Sequence, residues 1–157
     1  MRLSHPAAAL LLLGLLLTAS AQDTAKRYGV RDEAGLFGKD AIKKAEEDFA
    51  KVHDQYKKDV FVEVLKDGPK DDFVKWAEDR ARQHRFSGVY VVITENPKKL
   101  EVLTDRQTRE KALFTQKDVQ ALADLMLRQL REGKKDEALT DGAKFVLDAF
   151  RKNAAGR

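Results

Sequence analysis

Gly88-Val89-Tyr90-Val91-Val92-Ile93 decides the fold. Every position after the glycine is β-branched or aromatic, so the run is apolar on both faces. It predicts a strand in the middle of a sheet covered from both sides. Asn96-Pro97 with Lys98 and Lys99 makes a turn, and Leu100 to Thr104 returns as a shorter, more amphipathic strand. The pair reads as a hairpin whose second strand lies nearer an edge. Upstream, Val60, Val62 and Val64 alternate with Phe61, Glu63 and Leu65 between Asp59 and Lys66, a further strand that Gly68-Pro69 ends.

The segments between the strands carry helical periodicity. Ile42, Ala45, Phe49, Val52 and Tyr56 put one apolar stripe on a charged helix from about Lys39 to Lys57. Asp71 or Asp72 is placed to cap a second helix running to about His84, with Phe73, Trp76, Ala77 and Ala81 on its apolar face. Thr115-x-x-Asp118 is a capping pattern opening a helix to about Arg131, and a last helix spans Glu137 to about Phe150. The predicted order is α-β-α-β-β-α-α. A strand-helix-strand crossover makes the first two strands parallel and the hairpin adds an antiparallel one, which gives a three-layer α/β/α sandwich around a small mixed sheet.

The amino terminus predicts export. Arg2 precedes an apolar run from Ala7 to Leu17, and Thr18-Ala19-Ser20-Ala21 offers a small-x-small cleavage site before Gln22. That run, of about 11 residues, is too short for a bilayer that needs ~20. The expected division is a signal peptide at 1–21, a linker at 22–29, one domain at 30–151 and a polar tail at 152–157. Of 157 residues, 136 remain after cleavage, enough for one core. Charged residues break every later apolar run, so no membrane span is expected in the mature chain. A periplasmic or secreted location follows.

Composition narrows the chemistry. With no cysteine there is no thiolate nucleophile, thiolate zinc site or lipid-anchoring cysteine. Cleavage removes Arg2 and leaves 29 basic against 26 acidic residues, interspersed rather than segregated, so no nucleic-acid partner is expected. Only His53 and His84 remain of the histidines, each with a surface or structural role the simpler reading.

In chain order, Val30-Arg31-Asp32-Glu33-Ala34-Gly35-Leu36-Phe37 precedes an amphipathic helix, Trp76-Ala77-Glu78 sits within a helix, Gly88 to Ile93 forms the central strand, and Gly133 and Asp141-Gly142 lie in the closing helix pair. This series resembles the TPM domain family, over about Val30 to Phe150. The resemblance implies an α/β/α sandwich outside the cytoplasm, with acid-phosphatase activity in a plant member and divalent-cation binding in some members. Asp32, Ala34, Gly35 and Leu36 match the family's opening Asp-x-Ala-Gly-Leu. Gly38 replaces the usual helix-starting serine, and Thr104-Asp105-Arg106 stands where many members have Gly-x-Gly. Many bacterial members continue into a transmembrane helix; this chain reads as a free domain.

The topology brings carboxylates to one rim. Asp32 and Glu33 precede the first helix, Asp67 leaves the first predicted strand, Asp71 and Asp72 start the second helix, and Glu95 leaves the central strand, all at the carboxyl edge where open α/β sheets bind ligands. Oxygen donors there suit calcium or magnesium, and Asp32, Asp67 and Asp71 are the candidate metal ligands. The plainer reading makes Asp71 and Asp72 helix caps, Asp67 a turn residue and the glutamates solvated. No residue stands out as catalytic or as a phosphate clamp. The expected function is divalent-cation binding, binding to an envelope or membrane protein, or both; the alternative is a metal-assisted acid phosphatase acting on phosphate monoesters.

Overall fold

The computed structural model describes residues 27–156. The predicted signal peptide and residues 22–26 of the linker lie outside them. Helix α1 (Lys39–Tyr56) buries Ala45, Phe49 and Val52 of the predicted stripe together with Ala41, while Ile42 and Tyr56 are only partly buried. It stops at Lys57, which takes the left-handed backbone (φ 54°) and returns its N–H to the carbonyl of His53. Helix α2 spans Phe73–His84, α4 spans Gln116–Arg131 and α5 spans Lys135–Ala155.

Four strands form one sheet in sequence order: β1 (Gly29–Asp32), β2 (Asp59–Asp67), β3 (Gly88–Asn96) and β4 (Lys98–Thr104). β1, β2 and β3 are parallel, and β4 pairs antiparallel to β3. The mixed sheet and the hairpin are as expected, and β3 lies inside the sheet with β4 at its edge.

Alternation divides the sheet between two cores. Val60, Val62 and Val64 of β2 join Val89, Val91 and Ile93 of β3 against α1, α4 and α5. Leu65, Tyr90 and Val92 meet Phe73, Ala77 and Ala81 of α2 on the other face. Burying a residue such as Phe49, which is 1% exposed, contributes on the order of 2–3 kcal/mol. Gly88 admits no side chain: its φ is +150°, and a Cβ there would lie 2.0 Å from the carbonyl oxygen of Asp59.

Several details differ from expectation. β1 adds a fourth strand where a linker was expected to meet the domain; with Val30 its one aliphatic position, it is too short to show an alternation. Pairing with β2 makes it a strand. A short helix, α3 (Arg106–Glu110), follows β4, with the Asp105 side chain accepting from the Thr108 N–H at 3.1 Å. Asp72 occupies the cap position of α2 but in the left-handed region (φ 49°), and its side chain makes no capping bond. α5 continues to Ala155, so residues 152–155 are helical rather than tail. The capping box of α4 forms as its sequence predicts: Thr115 N–H donates to Asp118 Oδ2 at 2.7 Å, and Asp118 N–H to Thr115 Oγ1 at 3.3 Å.

Candidate functional site

Asp32, Asp67 and Asp71 all come to the carboxyl edge of the parallel strands, as the topology requires, but their side chains go separate ways. Asp32 accepts the N–H groups of Leu36 at 3.0 Å and Phe37 at 2.8 Å, so both its oxygens tie down the loop into α1. Asp67 accepts from Asn96 Nδ2 at 3.1 Å, while Asp71 is exposed. Glu33 pairs with Arg31 at 2.9 Å, and Glu95 is exposed. Among the described residues no three His, Cys, Asp or Glu side chains stand close enough to hold a metal ion. As placed, these carboxylates do not converge on one point, whereas calcium takes ~6 to 8 oxygens.

On the α2 face, alternation along β2 places Glu63 between Phe61 and Leu65, and it is fully buried. Arg80 of α2 donates to it from Nε at 2.9 Å and Nη2 at 2.7 Å, and the Tyr90 hydroxyl donates at 2.6 Å. His84 Nε2 lies at 3.4 Å, and Arg31 at 3.9 Å. Burial pushes the carboxyl up, but the bonds from Arg80 and Tyr90 outweigh it and hold Glu63 below the ordinary carboxylate range. Burial, then the bond to Glu63, push the Tyr90 phenol well up. With its oxygens engaged, this carboxylate serves as a buried ion-pair centre, not as a free base.

At the amino end of β2, Lys58 is 3% exposed and donates to Gln107 Oε1 at 2.8 Å and Ser87 Oγ at 3.0 Å, with Asp105 Oδ2 at 3.8 Å. The ammonium thus has a partner in each direction. It fastens α3 to β2 and to the start of β3. His53 Nδ1 and Asp59 Oδ1 meet nearby at 2.9 Å.

The open space lies elsewhere, between the β3–β4 hairpin and the turn from α4 to α5. It is a cleft of about 400 Å³. Leu36, Ile93, Leu100, Leu127 and Leu130 supply apolar walls; Lys98, Lys99, Arg131 and Lys135 supply four cations against the single carboxylate of Glu95. Lys99 is held by the Lys70 carbonyl at 2.5 Å and lies 5.3 Å from the centre of the Phe73 ring. Lys98, Arg131 and Lys135 have no ion-pair partner among the described residues. These basic residues are visible in the sequence as turn and helix-end charges. Their convergence is not, because it needs the hairpin folded against α4.

A family model described as the TPM domain matches residues 30–149. The chain belongs to the TPM domain family. Among solved structures, this TPM domain is similar to the N-terminal domain of a P. gingivalis protein, with a TM-score of 0.67, 21% identity, and coverage of 83% of this chain and 85% of that one. A protein of the psychrophilic bacterium Bizionia argentinensis matches with a TM-score of 0.60 and 15% identity over 74% of this chain and 83% of its own. The N-terminal domain of a Corynebacterium glutamicum protein has the same TM-score at 14% identity, over 88% and 86%. At these identities the likeness speaks to the fold alone. No curated protein matches the chain.

No helix among the described residues is long and apolar enough to cross a membrane.

Proposed function

We propose that this TPM domain is exported and acts in the periplasm or outside the cell as a binding domain for an envelope protein, which it receives in the cleft between the β3–β4 hairpin and the α4–α5 turn. The first 21 residues support export. One observation carries the binding reading: a concave apolar space at the carboxyl edge of the sheet, rimmed by Lys98, Arg131 and Lys135, which form no ion pair among the described residues. Apolar walls with a few convergent polar groups are the usual make-up of a binding site.

A photo-cross-linking residue in place of Leu130, with a control in place of Asp79 on the exposed side of α2, tests this in producing cells. The expected result is one protein captured at position 130 and not at 79, identified by mass and binding again when purified. Equal capture at both positions ends the reading.

Calcium or magnesium binding at Asp32, Asp67 and Asp71 is the second reading, favoured by their common edge and the exposed Asp71, and opposed by the engagement of Asp32. Its consequence, a metal-assisted phosphatase, is the enzymatic rival. A thermal-shift screen with calcium, magnesium and manganese, run beside p-nitrophenyl phosphate turnover, decides it: a melting shift or metal-dependent turnover would favour the rival.

A further inference from the structure

We infer that the cleft takes an acidic polypeptide segment, one that inserts an aliphatic side chain between Ile93, Leu100, Leu127 and Leu130 and sets carboxylates beside Lys98, Arg131 and Lys135. This rests on the binding reading above and names the chemistry of the partner.

Lys99 has structural work, bridging to the β2–α2 loop through the Lys70 carbonyl and the Phe73 ring. Lys98, Arg131 and Lys135 do not. Arg131 in the last turn of α4 complements the helix dipole, and Lys135 opens α5 beside Asp136 and Glu137, the first-turn acids that already meet that dipole. Three rim cations that form no ion pair among the described residues, facing the single carboxylate of Glu95, suit a negative group brought from outside. An edge lysine such as Lys98 also discourages pairing with another copy of the same basic strand.

The walls exclude other occupants. The basic rim repels a dication, and a bare phosphate, though drawn to the rim, would leave the five aliphatic side chains without a partner. An anionic membrane would call for apolar side chains that project, yet the one exposed large hydrophobic residue among those described is Val74, on α2 in the opposite layer. A recessed apolar space with a charged rim fits a chain that brings both an aliphatic side chain and carboxylates.

The test is fluorescence anisotropy on the purified mature protein with a labelled synthetic peptide alternating leucine with glutamate and aspartate. Controls replace the acids by lysine or the leucines by serine, and phosphatidylglycerol vesicles form a separate arm. The acidic, leucine-bearing peptide is expected to bind and both peptide controls to fail. Lys98→Glu with Arg131→Glu should weaken binding by about tenfold or more, as should raising the salt. These side chains are exposed, so an unchanged circular dichroism spectrum will certify folding, and Lys98→Ala with Arg131→Ala gives a milder variant. Equal binding of the lysine or serine peptide, indifference to charge reversal, or binding to vesicles alone overturns the inference. A protein captured at position 130 whose binding ignores both salt and charge reversal would overturn it while leaving the binding reading intact.

Discussion

Arg80 lays two guanidinium nitrogens on the carboxylate of Glu63, Nε at 2.9 Å and Nη2 at 2.7 Å, across the interface between α2 and the middle of the sheet. Glu63 is fully buried, whereas the Arg80 side chain is 27% exposed. The two partners therefore differ in what their loss leaves behind. Arg80→Met should cost about 3–5 kcal/mol, because it strips the main partner from a buried charge. Glu63→Leu should cost less, since Arg80 can turn toward water, and the double variant should recover part of the Arg80→Met loss. Urea denaturation of the three proteins measures this, and equal costs for the two single changes would contradict the asymmetry.

Acid should unfold the domain partly through two carboxylates. Glu63 and Asp118 are both held below their ordinary values of 4.5 and 3.8: burial raises each, but Arg80 and Tyr90 outweigh it for Glu63, and Thr115 and Asn153 for Asp118. A depressed folded-state pKa means that the unfolded chain binds the proton more tightly. Their stabilisation is complete above those ordinary values and is lost as pH falls through the lower folded ones. Melting temperature should fall steeply below about pH 4.5, and Asp118→Asn, though less stable at neutral pH, should show a shallower acid limb. An unchanged slope would remove Asp118 from the account.

Glu101 has the opposite sign. Burial, and then the charge of Glu78, push its carboxyl up from 4.5. The folded state thus prefers the protonated form, and stability is lost as pH rises from the ordinary value through the raised one. Glu101→Gln should raise the melting temperature at pH 7 and make little difference near pH 3. A lower melting temperature at pH 7 would show that Glu101 has a favourable partner as a charge.

Asp32→Ala should destabilise the domain without any metal. Its oxygens hold the amides of Leu36 and Phe37, a role close to a helix cap, so the cost should be about 1–2 kcal/mol even in chelator. Denaturation in chelator and in calcium separates the two roles: a loss seen only with calcium would restore Asp32 as a ligand.

Lys58→Met should loosen α3. The change removes the bonds to Gln107 and Ser87, at about 1–3 kcal/mol for the polar groups left behind. Hydrogen exchange should quicken in Arg106–Glu110 and change little in β3. Uniform acceleration across the sheet would mean that the lysine supports the whole core instead.

Much of the fold was legible because its elements announce themselves locally. The valine run of β3, the stripe of α1 and the Thr115–Asp118 box each carry their information within one element. β1 escaped because a four-residue edge strand is formed by its neighbour, and α3 because one Asp105 cap decides a five-residue helix. The candidate site was less legible. Topology placed Asp32, Asp67 and Asp71 on one edge, but a shared edge does not aim side chains, and loop amides claimed Asp32. Glu63 looked like an ordinary alternating strand residue; its burial shows only when α2 lies across it.

By itself, the sequence determined the layered α/β class, the parallel crossover with its hairpin and the TPM resemblance, because hydrophobic period and turn chemistry act over a few neighbouring residues. Tertiary structure alone decided which charges meet. Glu63 finds Arg80 17 residues away, and Lys58 finds Gln107 49 residues away. The cleft gathers Leu36, Lys98 and Arg131 from three separate parts of the chain. Such meetings depend on packing distance, and no local pattern encodes that.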